Sequence, residues 1–219
     1  MKLAVGFSKT VLILIVPFFI LMSSIRILFN PYSLQLEYNT PGFPADPYGF
    51  TQADRLKWAN VSLDFLLNNQ DLSFFDPLKL PDGSPLYNAR ELSHMWDVKI
   101  LLQRMISVWI VLGVVLVLAG IVAWRMKQLK AYFAFLSRGG WLTLIIIALI
   151  LAGVALSFNW LFTEFHRIFF TGDTWLFLYS DTFIRLFPMQ FWQDAFIAGG
   201  VLAILFGLIF GFGGRALSR

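Results

Sequence analysis

The chain has only two histidines, His94 and His166, among its 219 residues. Histidine is the side chain whose ordinary pKa best suits proton transfer near neutral pH. Each histidine lies where a long apolar stretch borders charged and aromatic residues. We therefore take the two imidazoles as candidate catalytic groups for acid–base chemistry, which requires that folding bring them together.

The charged neighbours of the histidines allow a functional and a plain interpretation. Arg90, His94 and Asp97 share one face of a helix, because they are spaced by three or four residues. Asp97 can then orient the imidazole or raise its pKa through its charge. Equally, Asp97 can be an ordinary salt-bridge partner and His94 a solvated side chain on an exposed face. For His166 the plain alternative is an interfacial ring bonded to a headgroup or a carbonyl, with Arg167 as an interface charge.

The composition and residue spacing exclude or disfavour several other kinds of catalytic site. The chain has no cysteine, which excludes disulfides, thiolate catalysis and cysteine-rich metal sites. A metal site built from the histidines with Asp97, Glu164 or Asp181 stays conceivable, but no HExxH-type spacing supports it. Asp181 can equally be a helix cap. Ser93 and Ser180 lie near the histidines, but neither stands in a nucleophile elbow. We expect no metal.

The elements that position the histidines belong to a membrane protein. The chain is 58% hydrophobic with a mean hydropathy of +0.71, and charged residues make up 14%, against about 25% in soluble domains. A helix needs roughly 20 apolar residues to cross a bilayer, and four stretches satisfy this: about 11–29, 105–124, 141–162 and 195–212. We predict an all-α fold, a single integral membrane domain over residues 1–219 with four transmembrane helices.

The distribution of charge predicts the orientation. The regions before the first stretch, between the second and third, and after the fourth contain eight basic residues and no acid: Lys2, Lys9, Arg125, Lys127, Lys130, Arg138, Arg215 and Arg219. All 13 acidic residues lie in the other two regions. By the positive-inside rule, both termini and the middle loop are cytoplasmic. Residues 30–104 and 163–194, which contain both histidines, are then extracytoplasmic.

The first outer region contains turn formers and helices. Residues 30–50 are rich in proline and glycine, which predicts an ordered loop without a regular element. Thr51 and Asp54 match a capping box before an amphipathic helix of about 51–69, on which Arg55 is expected on a face other than the apolar one. Asp82-Gly83 suggests a small hairpin. Asn88 with Glu91 three residues on matches a second capping box. Nothing interrupts the helix that starts there before residue 124, so the second transmembrane helix projects outward and carries His94.

The second outer region is dominated by aromatic residues. Residues 158–196 contain 14 aromatic side chains in 39 positions, more than the belts at two helix ends require. Gly172-Asp173 indicates a turn, Ser180-Asp181 can cap a helix, and Pro188 can start or kink another. We predict one or two short helices in the outer interface, partly immersed in lipid.

Two runs around the histidines resemble the signatures of a known family. The first is Asn88-Ala89-Arg90-Glu91-Leu92-Ser93-His94-Met95-Trp96-Asp97-Val98-Lys99. The second comprises Phe165-His166-Arg167-Ile168-Phe169-Phe170, Asp173-Thr174-Trp175-Leu176-Phe177 and Asp181-Thr182-Phe183-Ile184-Arg185-Leu186-Phe187-Pro188. In order and separation they are similar to the lipoprotein intramolecular transacylases, small four-helix integral membrane proteins of bacteria.

The resemblance implies a reaction that needs no acyl-enzyme and no cofactor. The substrate is a lipoprotein with an N-terminal diacylglyceryl-cysteine, and the sn-2 acyl chain moves to the cysteine's own α-amine, which gives the lyso-form. One imidazole takes the amine proton and the other protonates the departing glycerol oxygen. The sequence does not assign these roles, but we favour His166 as the base and His94 as its partner. Substrate binding is assigned to Arg90, Asp97, Arg167, Trp175 and Asp181, with Arg90 or Arg167 as stabiliser of the oxyanion.

Two other classes of protein fit the same composition. One is a non-catalytic tetraspan scaffold or transporter subunit that binds lipid or a membrane partner. The other is a metal-dependent membrane hydrolase. We expect a multi-pass protein of the bacterial cell membrane whose active site faces outward, with a lipoprotein substrate and membrane lipid as partners. The basic middle loop is a topology signal, so no nucleic acid is expected.

Overall fold

The computed structural model describes residues 2–219, with side chains from Thr10 onward. Its helices are α1 Lys2–Leu28, α2 Pro31–Tyr38, α3 Gln52–Leu67, α4 Ala89–Arg125, α5 Leu129–Phe169, α6 Thr182–Leu186, α7 Met189–Leu208 and, after a π-helical turn at Ile209–Gly213, α8 Gly214–Leu217. Within residues 2–219 there is no strand, only a single bridge pair between Lys79 and Pro85. The predicted all-α class is confirmed.

Four helices are long and apolar enough to cross a membrane. They comprise Thr10–Leu28, Ala89–Arg125, Leu129–Phe169 and Met189–Leu217. This confirms the four transmembrane helices expected from hydropathy. Lys2 and Lys9, on which part of the orientation prediction rests, lie outside the residues whose side chains are described.

The chain forms two compact units, and the first contains the apolar helix segments. It comprises the chain up to Leu28, Met105–Leu156 and Phe196–Arg219. Its buried core consists of Val16, Ile20, Leu116, Ile147 and Ala203. A Cβ on Gly140 would lie 2.6 Å from the backbone nitrogen of Gly211, so α5 approaches the π-helical turn too closely for any side chain at that position.

The second unit contains both candidate histidines. It comprises Phe29–Arg104 and Ser157–Ala195. Its core is built largely from aromatic and aliphatic residues of α2, α3, α4 and α6 and of the segments between them: Leu34, Tyr38, Trp58, Ala59, Leu63, Phe65, Phe75, Leu86, Tyr87, Met95, Phe183, Leu186 and Phe187. The regions between the first and second and between the third and fourth transmembrane helices therefore fold around a core of their own.

Helix α2 was not expected, because the prediction placed an ordered loop over residues 30–50. The prediction is wrong for Pro31–Tyr38. The Asn30 side chain accepts a hydrogen bond from the Ser33 backbone N–H at 3.1 Å, and Pro31 occupies the first helical position, where it needs no hydrogen bond. The proline- and glycine-rich residues interrupt regular structure only after Tyr38. The Tyr38 hydroxyl donates a hydrogen bond to the Leu186 carbonyl at 2.7 Å.

The predicted capping box of helix α3 is confirmed, but the predicted position of Arg55 on the helix is wrong. The Thr51 side chain accepts from the Asp54 N–H, and Asp54 accepts from the Thr51 N–H at 2.9 Å. Arg55, which was expected on a face away from the apolar one, is buried. Its guanidinium donates to the Pro44 carbonyl at 2.6 Å and lies 4.8 Å from the centroid of the Phe43 ring. The aromatic surroundings and the long aliphatic stem allow this burial.

Helix α4 starts and continues as predicted. The Asn88 side chain accepts from the Arg90 and Glu91 N–H groups, both at 3.0 Å, and Glu91 accepts from the Asn88 N–H at 2.7 Å. The helix then runs unbroken to Arg125. The predicted hairpin is reduced to a tight turn, in which Gly83 has φ +85°.

Helix α5 is longer than the predicted third segment. It spans Leu129–Phe169, and Ser157 inside it has non-helical angles of φ −164° and ψ 93°. Ser157 stands at the boundary between the two compact units, and the part that follows belongs to the second unit and carries His166. In the aromatic segment, α6 spans Thr182–Leu186 and follows Asp181.

Candidate active site

The rings of His94 and His166 face each other. Their centroids lie 5.8 Å apart with an interplanar angle of 27°. Only 2% of His94 and 8% of His166 is exposed, so the alternative of a solvated His94 on an open helix face is wrong. A general acid or base must come within about 2.6–3.2 Å of the atom it protonates or deprotonates. Two rings at this separation can therefore both exchange protons with one substrate group that binds between them.

The tautomer of His166 is fixed by its own helix. Its Nδ1 lies 2.7 Å from the Phe162 carbonyl oxygen. A carbonyl only accepts, so Nδ1 carries the hydrogen and donates it, and in the neutral ring Nε2 holds the lone pair. The plain expectation of a ring bonded to a carbonyl is thus met, and it leaves Nε2 able to take a proton.

His94 has an unsatisfied nitrogen within an aromatic enclosure. Its Nδ1 is buried and has no hydrogen-bond partner among the described residues. The rings of Phe170, Phe177 and Phe183 lie 4.9, 5.4 and 5.6 Å from the His94 ring, all edge-on. Buried polar atoms are nearly always bonded. An orphaned imidazole nitrogen beside a second imidazole is available to a substrate.

The enclosure favours neutral imidazoles. His166 is also surrounded by rings: Phe162, Trp175 and Phe170 lie 4.1, 5.1 and 5.4 Å from it, and of these Phe170 also contacts His94. Aromatic walls cannot replace the hydration that an imidazolium loses on burial. Charging both rings would also place like charges about 5.8 Å apart. Burial and mutual repulsion therefore disfavour a state in which both rings are charged.

Arg90 and Asp181 are joined to each other. Arg90 forms an ion pair with Asp181 at 3.0 Å. Asp181 also accepts from the Asn88 side chain at 3.1 Å and from the Leu178 N–H at 2.8 Å. It makes no side-chain cap to α6, because its oxygens serve these three donors. Arg90 lies 6.0 Å from the centroid of the Phe177 ring, which in turn contacts His94.

The other predicted binding residues lie at different places. Trp175 stacks near His166, and its indole N–H donates to the Gly172 carbonyl at 3.1 Å. Asp97 accepts a 3.4 Å hydrogen bond from Thr174, so the buried Nδ1 of His94 receives no support from it. Arg167 is exposed and pairs with Glu164 at 2.8 Å, as in the plain interpretation of these charges.

Residues 171–180, here called the cover segment, have no regular structure. Trp175 and Phe177 within it contact the histidine rings. Leu178 and Tyr179 are exposed on its other side. The segment thus presents apolar side chains to the histidines and also exposes apolar side chains, which suits a position at the edge of a lipid layer.

Sequence reasoning missed the buried carboxylate of Glu91. It was recognised only through the capping box at Asn88, whereas its second oxygen accepts a 2.6 Å hydrogen bond from the Phe183 N–H. No local pattern links positions 92 residues apart. Across the described residues, no cluster of three or more histidine, cysteine or acidic side chains could hold a metal ion.

Comparison with known proteins identifies a family and a solved fold. A family model described as "Lipoprotein intramolecular transacylase Lit" matches residues 10–192. A protein of Aquifex aeolicus (strain VF5), described as uncharacterized, is 31% identical over 201 residues, which cover 91% of this chain and 89% of that protein.

Solved structures of a membrane-integral lipoprotein intramolecular transacylase from Bacillus cereus have a similar fold. One superposes with a TM-score of 0.78 at 22% identity, and covers 97% of this chain and 96% of that chain. A variant of the same protein with a histidine replaced by alanine gives 0.68 at 23% identity, over 99% and 97% of the two chains.

Proposed function

This chain belongs to the lipoprotein intramolecular transacylase family, and we propose that His94 and His166 carry out the proton transfers of its reaction. It is a multi-pass membrane enzyme that transfers an acyl group. The observation that carries the proposal is the pair of facing imidazoles, 5.8 Å apart and enclosed by aromatic rings. The substrate we propose is a lipoprotein with an N-terminal diacylglyceryl-cysteine.

The proposed reaction exchanges one carbon–oxygen bond for one carbon–nitrogen bond. The α-amine of the cysteine attacks the sn-2 ester carbonyl of its own diacylglyceryl group. The bond from the acyl carbon to the glycerol oxygen breaks, and the product is an N-acyl, S-monoacylglyceryl lipoprotein. The amine loses one proton and the glycerol oxygen gains one, so nothing else is consumed. Because donor and acceptor share one molecule, positioning supplies a large part of the rate enhancement.

His166 is the base in this proposal. Its Nδ1–H is held by the Phe162 carbonyl, so Nε2 takes the amine proton. His94 returns a proton to the glycerol oxygen, and transfer from His166 to His94 restores the pair. Since burial disfavours two imidazolium ions at once, one proton moving through a neutral pair fits the enclosure better than two charged rings.

The polar residues around the dyad have separate proposed roles. Arg90 is the candidate stabiliser of the tetrahedral oxyanion, because it reaches Phe177, whose ring contacts His94. Arg167, exposed beside Glu164, is suited to a lipid or glyceryl headgroup. Trp175 contacts the acyl chains next to His166. Asp97 and Asp181 act on substrate binding through the cover segment, to which they are bonded.

Substrate entry requires the cover segment to move. Both histidines are buried, and a lipid-anchored substrate cannot leave the membrane easily. The cover segment contacts both rings and exposes Leu178 and Tyr179. Its displacement would open the dyad to a substrate that arrives along the lipid layer.

We propose the orientation that the charge distribution predicts. The chain then works as one integral membrane domain of the bacterial cell membrane with both termini inside. Residues 30–104 and 163–194, with the active site, face the extracytoplasmic side, where the substrate and its surrounding lipid are found. Support comes from the eight basic residues without an acid in the three inner regions.

The test is product analysis with the purified chain and a synthetic diacylated lipopeptide. Substrate and product have the same mass, so tandem mass spectrometry must locate the acyl group. We expect it on the α-amine, and an unchanged ester would contradict the proposal. Release of free fatty acid that a chelator abolishes would support the metal hydrolase, whereas binding without conversion would support the scaffold.

A further inference from the structure

Glu91 is a buried acidic side chain that the proposed proton transfers do not use. Only 2% of it is exposed, and it is among the largest fully buried side chains. Its Oε2 accepts from the Asn88 N–H at 2.7 Å and its Oε1 from the Phe183 N–H at 2.6 Å. A carboxylate buried this far is tolerated because both oxygens are bonded.

The contact with Phe183 is not explained by helix capping of α4. A capping box needs only the bond to Asn88. The N-cap residue of α6, Asp181, has its oxygens on Arg90, Asn88 and the Leu178 N–H and does not cap that helix. Glu91, which belongs to α4, therefore caps the N-terminus of α6 in place of Asp181. Its charge lies near the N-terminus of both helices, where a negative charge is favoured.

Phe183 connects this bond to the candidate dyad. Its N–H is held by Glu91, and its ring lies 5.6 Å from the His94 ring, at an interplanar angle of 80°. The same ring lies 5.2 Å from Phe177 of the cover segment. His94 itself follows Glu91 by three residues on α4, so the two side chains project from the same side of the helix.

We propose that Glu91 is a positioning residue, whose carboxylate holds the Phe183 backbone against α4 and thereby places the Phe183 ring on the His94 imidazole. This rests on the proposed function of His94. Because the His94 Nδ1 has no hydrogen-bond partner among the described residues, the orientation of its ring depends on the aromatic walls. Glu91 fixes one of these walls when the cover segment moves.

The acceptor character of Glu91 explains why glutamine cannot replace it. Both oxygens face backbone N–H donors. In Glu91→Gln one of them becomes an NH₂ group, which sets donor against donor. The backbone at Phe183 must then shift, and the ring on His94 shifts with it.

A double-mutant cycle with Glu91→Gln and Phe183→Leu tests the inference. We expect each single variant to lower kcat by about 10- to 100-fold with KM within about threefold, because the acid–base step is worth about 10²- to 10⁴-fold and is only misaligned. If Glu91 acts through Phe183, the double variant loses no more than about twofold beyond the worse single variant. Losses that multiply would overturn the inference.

Asp54→Asn is the matched control. Asp54 is the capping-box carboxylate of α3 and accepts from the Thr51 N–H. Asp54→Asn replaces a carboxylate by an amide in the same way as Glu91→Gln, but at a position distant in sequence from both histidines. We expect its kcat to be unchanged. Unfolding temperatures measured on all variants separate lost positioning from lost folding.

The inference stays falsifiable if Glu91→Gln does not fold. Phe183→Leu keeps the N–H bond to Glu91, and a kcat within twofold of wild type for this variant would overturn the inference alone. If the proposed role of His94 is wrong, His94→Gln keeps full activity. This result is distinct from a failure of the inference about Glu91. An inactive His94→Gln with a fully active, folded Glu91→Gln overturns only the role of Glu91.

Discussion

At the scale of single residues, burial separates the groups that do chemistry from those that hold the fold. His94 and His166 are buried without a charged partner among the described residues, which favours their neutral forms. Asp46 and Arg185 are buried as a pair, 3.0 Å apart, and Arg185 also stacks 3.5 Å above the Phe50 ring. The pair joins the loop after α2 to α6, so it stabilises the wall on which the histidines depend.

The pH dependence of stability follows from Asp46. Burial alone would raise its pKa, but hydrogen bonds from Arg185 and from the Phe50 N–H hold the pKa below the ordinary value. A carboxyl whose folded pKa is depressed stabilises the protein above its unfolded pKa of about 3.9 and loses that effect as pH falls through the folded pKa.

We therefore predict that Asp46→Asn lowers the free energy of unfolding by about 3 kcal/mol at pH 7, the usual cost of breaking a buried pair. The difference from wild type should shrink as pH falls below about 4. Denaturant unfolding in detergent at a series of pH values measures this. Asp76→Asn, at an exposed carboxylate, should cost less than about 0.5 kcal/mol. A difference between Asp46→Asn and wild type that did not change with pH would contradict the assignment.

At the scale of elements, the aromatic segment divides into a fixed and a movable part. Helix α6 is held by Glu91 and by the Tyr38 hydroxyl on the Leu186 carbonyl. The cover segment before it is held by more exposed bonds, chiefly from the Leu178 N–H to Asp181 and from Thr174 to Asp97. Loosely bonded segments open first, so entry of substrate should use the cover segment and leave α6 in place.

Cross-linking tests this division directly, since the chain has no native cysteine. In Thr174→Cys/Asp97→Cys, where the native side chains are 3.4 Å apart, a short reducible cross-linker ties the cover segment to α4. We expect the cross-linked form to lose at least about tenfold in kcat/KM, as expected when a required opening is blocked. Reduction should restore the activity of the uncross-linked double variant. Equal activity in both forms would show that the segment need not open.

At the scale of the whole molecule, membrane class and helix number followed from composition, because hydropathy and charge asymmetry are local properties summed along the chain. The two capping boxes and the unbroken α4 were also readable locally. Helix α2 was missed because turn formers beyond Tyr38 masked the signal of Asn30 and Pro31. Arg55 was misplaced because its burial depends on aromatic partners from outside its own helix.

The site was predictable in its residue types and unpredictable in its contacts. Two scarce histidines beside recognisable runs were enough to nominate His94 and His166. Their approach, 72 residues apart in sequence, and the bond of Glu91 to Phe183 arise only from packing of the second unit. No periodicity in the sequence records such pairs.

The proposed orientation predicts which positions a membrane-impermeant thiol reagent can reach in whole cells. Single cysteines at the exposed positions Asn69 and Gln128 serve as reporters in a cysteine-free chain. We expect Asn69→Cys to react in intact cells and Gln128→Cys to react only after permeabilisation, because the basic middle region is retained inside. The reverse pattern would place the histidines on the cytoplasmic side.

The most direct test of the two-histidine mechanism is the rate of acyl transfer in His94→Gln, His166→Gln and the double variant. The assay is the lipopeptide reaction read by tandem mass spectrometry, with Arg104→Ala, an exposed residue of α4, as control. We predict that each single variant loses at least about 100-fold in kcat. The double variant should lose little more, because the two rings act as a unit. Activity within threefold of wild type in either single variant would contradict the two-histidine mechanism.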